Sequence, residues 1–118
     1  MPAAVAAVDD VFFASKLKEA AHGVGVELLF TRSIGETVES AARVGARLVI
    51  LDLNGEGYSR VEALKALKAD PRTRGAFVVG YFSHVMVELK AEAEGAGCNL
   101  VLARSAFVKR LPAILKDA

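Results

Sequence analysis

Five times in 118 residues the hydrophobic pattern changes in the same direction, from a short continuous apolar run to an amphipathic stretch of helical spacing. The runs are Ala3–Val8, Val26–Thr31, Arg47–Leu53, Phe77–Phe82 and Asn99–Ala103. Several are apolar throughout rather than alternating, the pattern of parallel strands covered on both faces. Strict strand–helix alternation requires parallel strands joined by right-handed crossovers. Five units are too few for a barrel, which needs eight, so the expected architecture is an open, doubly wound sheet.

The helical stretches carry their own start and stop signals. The first runs from about Val11 to His22, with Phe13, Leu17, Ala20, Ala21 and Val24 on one stripe and Gly23 near its end. Ser33-Ile34-Gly35-Glu36 and Ser59-Arg60-Val61-Glu62 are capping boxes that open the second and third helices. The second carries Ile34, Val38, Ala41 and Ala42 before Gly45, and the third stops at Asp70-Pro71. The fourth is expected from about His84 to Glu94, ending in Gly95-Ala96-Gly97. The fifth starts near Ser105 and turns Phe107, Leu111, Ile114 and Leu115 inward, and Pro112 implies a kink or a late start. Phe12 and Phe13 both read as packing residues.

Composition narrows the class. Fifteen basic and fourteen acidic side chains leave a net charge of +1, which provides no electrostatic footprint for nucleic acid or an anionic membrane. A single cysteine, Cys98, cannot form an internal disulfide, and no apolar stretch reaches the roughly 18 residues of a membrane span. The start MPAAVAAVDD lacks the basic region of a secretory signal. These features lead us to expect one cytoplasmic domain over residues 1–118.

Chemistry-bearing residues gather just past the apolar runs: Asp9 and Asp10, Thr31, Asp52 and Asn54, Ser83 and His84, Arg104 and Ser105. In an open α/β sheet that edge is where ligands bind. With strand order 2-1-3-4-5 the first, third, fourth and fifth clusters converge, bringing three carboxylates, a hydroxyl and a guanidinium together. Such a site suits a hard divalent cation on the acids and an oxyanion on Arg104 and the helix N-termini. Simpler roles compete. Asp10 can N-cap the helix at Val11, and Ser83 and Ser105 read foremost as helix caps. His84 reads as a solvated helix-start residue, and His22 and Cys98 as structural.

The sequence resembles the receiver domain of bacterial response regulators (CheY-like) over essentially its whole length. The matching pieces are V-D-D at 8–10, L-V-I-L-D-L-N at 48–54, A-D-P at 69–71 and A-G at 96–97. Segments F-F-A-S-K-L at 12–17, S-H-V at 83–85 and R-S-A-F at 104–107 resemble a divergent, pseudo-receiver branch. The resemblance implies a flavodoxin-like (βα)5 fold and a non-enzymatic role in two-component signal transduction, a phosphorelay. It implies Asp52 as phosphoacceptor, with Mg2+ held by Asp9, Asp10, Asp52 and the Asn54 main chain. It further implies a histidine kinase or phosphotransfer protein upstream and a protein target downstream, with a homodimer as another arrangement and no nucleic acid or membrane partner. The alternative is a phosphorylation-independent pseudo-receiver acting as a protein-interaction module.

Three departures bear on that expectation. The family's lysine after the last strand is replaced by Arg104, with Ser105 where proline usually follows. The Thr or Ser that ends the family's fourth strand falls on Phe82 in an ungapped count from Asp52, and on Ser83 only with a one-residue shift. The loop after Asp52 reads Gly55-Glu56-Gly57-Tyr58, adding a fourth carboxylate. A guanidinium prefers two acceptors, so Arg104 is expected to pair with Asp52 or Glu56 at rest and to slow phosphorylation.

Overall fold

The structure is a computed structural model that describes residues 2–84 and 86–118. Strands and helices alternate as β1 (Ala3–Ala7), α1 (Val11–Gly23), β2 (Glu27–Phe30), α2 (Ile34–Val44), β3 (Leu48–Asp52), α3 (Arg60–Ala69), β4 (Phe77–Phe82), α4 (Val87–Gly95), β5 (Leu100–Ala103) and α5 (Arg104–Lys116). All strand pairs are parallel, in the order β2-β1-β3-β4-β5. This is the expected flavodoxin-like sheet.

The sheet is buried on both faces, which explains its unbroken apolar strands. Ala4, Ala6 and Val8 point to one side, where Phe13, Leu17 and Ala21 of α1 and Leu111 and Leu115 of α5 cover them. Val5 and Ala7 point to the other, against Val38 and Ala41 of α2, Leu64 and Leu67 of α3 and Ala93 of α4. Each large aliphatic side chain fully removed from water contributes about 1.5–3 kcal/mol. On the first face an aromatic group fills the space between α1, α5 and β4. Tyr81 stacks on Phe107 with ring centres 4.8 Å apart and meets Phe13 at 5.1 Å.

The serine half of each capping box forms, with the Ser33 hydroxyl accepting from Glu36 N–H and the Ser59 hydroxyl from Glu62 N–H. Gly45 closes α2 at a φ of 60°, a left-handed position that glycine adopts without strain. A buried polar pair escapes the apolar pattern: the Thr31 and Thr37 hydroxyls lie 2.7 Å apart, and Thr37 donates to the Ser33 carbonyl.

Several boundaries differ from expectation. The fourth helix begins at Val87 rather than near His84, and Met86 holds its cap position without a side-chain bond to the helix amides. Val85, within the expected start and the S-H-V segment, lies outside the described residues. The fifth helix follows β5 directly from Arg104 and continues through Pro112. Pro112 lies on the exposed side of α5, and its missing N–H removes the helical donor of the Val108 carbonyl. Ala103, not Ser105, is the α5 cap position, and Ser83 caps no helix. Phe13 is 3% exposed and part of the core, but Phe12 is 88% exposed and packs no core. Helical geometry turns these neighbours about 100° apart, so only one can face the sheet.

Candidate functional site

The C-terminal edge of the sheet gathers the acids. Asp9 and Asp10 follow β1, and Asp52 is the last residue of the adjacent β3. Asp52 is partly buried, and its Oδ1 accepts the Asn54 N–H at 3.1 Å. Burial pushes its carboxyl up from the ordinary value and dominates; the Asn54 N–H and the charges of Arg60 and Arg104 pull it down, and Asp9 raises it.

Asp10 caps α1, its Oδ1 accepting Phe13 N–H at 3.0 Å. Its Oδ2 lies 3.8 Å from Arg104 Nη1. The Arg104 guanidinium carbon sits 4.0 Å from the centre of the Phe13 ring. The resting partner of Arg104 is therefore Asp10 and an aromatic face, rather than Asp52 or Glu56. Stacking suits a planar cation and holds Arg104 toward α1. Glu56 is exposed, and the group it lends to the site is its carbonyl.

Asn54 joins two loops through its side chain. Its Oδ1 accepts the backbone N–H of Ser83 at 2.7 Å and of His84 at 3.2 Å, tying the turn after β3 to the turn after β4. Phe82 ends β4, buried and paired with Ala103, while Ser83 lies one residue past the strand and is exposed. Thr31 is buried against Thr37 and takes no part. His22 and His84 are exposed, and the Cys98 thiol donates weakly to the carbonyls of Val78 and Leu100.

The residue that the sequence reading passed over is Arg60. As the first residue of α3 beside a cap serine it looks like a solvated charge, yet its side chain is 0% exposed. Its Nη2 donates to Asp9 Oδ2 at 2.6 Å, its Nε to the Ala7 carbonyl at 3.2 Å, and its Nη1 to the carbonyls of Glu56 and Tyr58 at 2.9 and 2.7 Å. The Tyr58 ring lies 3.8 Å from the guanidinium carbon. A Cβ at Gly55 would fall 2.5 Å from that carbon. The available signal was glycine at position 55, which leaves room for a guanidinium where a side chain would stand. Tyr81, beside Asp52 in register, was also missed; its hydroxyl is buried and has no hydrogen-bond partner among the described residues.

The fold is that of response-regulator receiver domains. A putative response regulator from Chloroflexus aurantiacus superposes with a TM-score of 0.81 at 22% identity, covering 98% of both chains. The chemotaxis protein CheY4 of Vibrio cholerae gives 0.82 at 17% identity, covering 97% of this chain and 98% of its own. A Burkholderia pseudomallei response regulator with a phosphorylated aspartic acid, calcium ion and citrate gives 0.82 at 17% identity, covering 98% of this chain and 66% of its own. Neither a family model nor a curated protein matches the chain.

A divalent ion, the cofactor that the resemblance implies, does not fit these donors as they stand. One oxygen of each acid is engaged, Asp9 Oδ2 by Arg60, Asp10 Oδ1 by the Phe13 N–H and Asp52 Oδ1 by the Asn54 N–H, and Asp10 Oδ2 faces Arg104 at 3.8 Å. Among the described residues no group of three His, Cys, Asp or Glu is arranged to hold a metal ion.

Proposed function

We propose that this chain is a single receiver domain of two-component signalling, over residues 1–118, with Asp52 as its phosphoacceptor. The observation that carries the reading is the position of Asp52: the carboxyl end of β3, partly desolvated, beside the acid pair after β1 and within the field of two arginines. A carboxylate so placed can attack the phosphorus of a phosphodonor. The new bond is an acyl phosphate on Asp52, and the bond from phosphorus to the donor's leaving group breaks. The product carries roughly −1.5 to −2 of charge at this edge. Arg104, about two-fifths exposed and held only by a 3.8 Å ion pair and a ring face, is the group free to swing toward it. Mg2+ is given no step in this reading.

The donor in this reading is a histidine kinase or phosphotransfer protein, the output is contact with a protein target, and the setting is the cytoplasm. Within the structure, no helix of the described residues is long and apolar enough to cross a membrane. The test is intact-mass spectrometry after incubation with acetyl phosphate: wild type gains one phosphoryl group and Asp52→Asn gains none.

A second reading, a phosphorylation-independent interaction module of the same fold, is favoured by Phe82 at the end of β4. An apolar ring there has no hydroxyl to hydrogen-bond a phosphoryl oxygen. A wild type that stays unlabelled under excess donor selects this reading.

A further inference from the structure

We propose that the Arg60 guanidinium is the resident cation of the acid pocket, standing where a divalent ion would otherwise be drawn and lowering the pocket's affinity for metal. The surroundings of Arg60 are those of a hard cation. Three main-chain carbonyls (Ala7, Glu56 and Tyr58) and one carboxylate oxygen (Asp9) point at one buried positive group, an all-oxygen set of the kind that divalent ions take. Here those oxygens receive four N–H donors of a planar fork instead.

Burying an arginine side chain completely is costly unless it is paired and hydrogen-bonded, and this one is both. Its cage comes from two separated stretches of chain. The strand β1 with its acid turn supplies the Ala7 carbonyl and Asp9, and the loop after Asp52 supplies the other two carbonyls. The loop is shaped to it: Gly55 omits the Cβ that would strike the guanidinium, and Tyr58 lays its ring over it. A second cation entering between Asp9 and Asp52 would meet this fixed positive charge at short range. Asp10 is meanwhile engaged by the Phe13 N–H and faces Arg104. Two resident guanidinium groups thus flank three carboxylates, and metal affinity falls accordingly.

This inference concerns what compensates the acids and holds under either reading of function. Its test is Mn2+ binding followed by the loss of the free-ion electron paramagnetic resonance signal. Wild-type protein is expected to show no saturable binding up to millimolar Mn2+, while Arg60→Gly gains a site at least about tenfold tighter, since removing one unit charge at this range changes the ion's energy by more than 1.4 kcal/mol. One tight Mn2+ per wild-type chain, or no gain of affinity in a folded Arg60→Gly, overturns the proposal. Should Arg60→Gly fail to fold, Asp9→Asn decides. That change removes the carboxylate partner of a buried guanidinium, so Tm drops equally with Mg2+ or with chelator. A drop confined to Mg2+-containing buffer overturns the proposal. Asp52 labelling is measured separately, so the phosphoacceptor assignment and the metal assignment can fail independently.

Discussion

Gly55 and Arg60 are fitted to each other: a Cβ at residue 55 would stand 2.5 Å from the guanidinium carbon of residue 60 and 2.7 Å from its Nη2. The loop after Asp52 is thus built around a side chain five residues further on. Gly55→Ala forces either the loop or a fully buried guanidinium to move, and overpacking of this kind costs about 1–3 kcal/mol. Urea unfolding measures it. In an Arg60→Ala background the same change should be nearly neutral, because the obstacle is gone; additive effects would show that the two positions do not touch.

The adjacent phenylalanines separate core from surface. Phe13→Ala removes a ring packed against Tyr81 and beneath Arg104, and should destabilise the protein by about 3–5 kcal/mol. Phe12→Ala, at a ring 88% exposed, should stay within about 0.5 kcal/mol. Equal losses in chemical denaturation would contradict the placement of α1.

Stability should respond to pH through Asp52. Its carboxyl is raised in the folded state, chiefly by burial, so the folded protein holds the proton more tightly than the unfolded chain. The associated stability is fully present below the ordinary carboxylate value and is lost as pH rises through the raised value. Asp52→Asn keeps an acceptor for the Asn54 N–H but removes the charge. It should raise Tm by a few degrees at neutral pH and by nothing in acid below the ordinary value. A thermal melt series across pH checks this, and a variant equally stabilised at every pH would refute the cause.

Arg104→Lys exchanges a stacked planar cation for a compact one. The ammonium loses the broad face that lies on Phe13 and is freer to reach one phosphoryl oxygen. Labelling of Asp52 by acetyl phosphate should therefore be faster in Arg104→Lys than in wild type, at a stability cost of under about 1 kcal/mol for a half-exposed contact. Identical labelling time courses would remove Arg104 from the account.

Most of the fold was legible because its signals are local and repeated. Continuous apolar strands, two serine capping boxes, Gly45 and the Asp70-Pro71 stop fixed element type and order, and strand ends differed by one residue at one or both ends, β4 excepted. The misplaced start of α4 has a physical cause: the His84 and Ser83 amides are held by Asn54 from another loop, a partner 29 or 30 residues away that no local pattern reveals. The candidate site was legible only as far as backbone position determines it. Asp9, Asp10 and Asp52 follow from where their strands end. The pairing of those acids depends on side chains arriving from elsewhere: Arg60 across 51 residues to Asp9, and Arg104 to Asp10 with Phe13 beneath it. A charge at a helix start looks solvated until the fold closes over it.

In the proposed function Asp52 takes a phosphoryl group in a pocket whose cations are its own arginines. Intact-mass spectrometry of the wild type and Asp52→Asn, each incubated with acetyl phosphate in Mg2+ or in chelator, tests it most directly. One phosphoryl group on wild type, at a similar rate in both buffers and absent from Asp52→Asn, is the expected result. Labelling that survives Asp52→Asn, that requires Mg2+, or that never appears on wild type would contradict it.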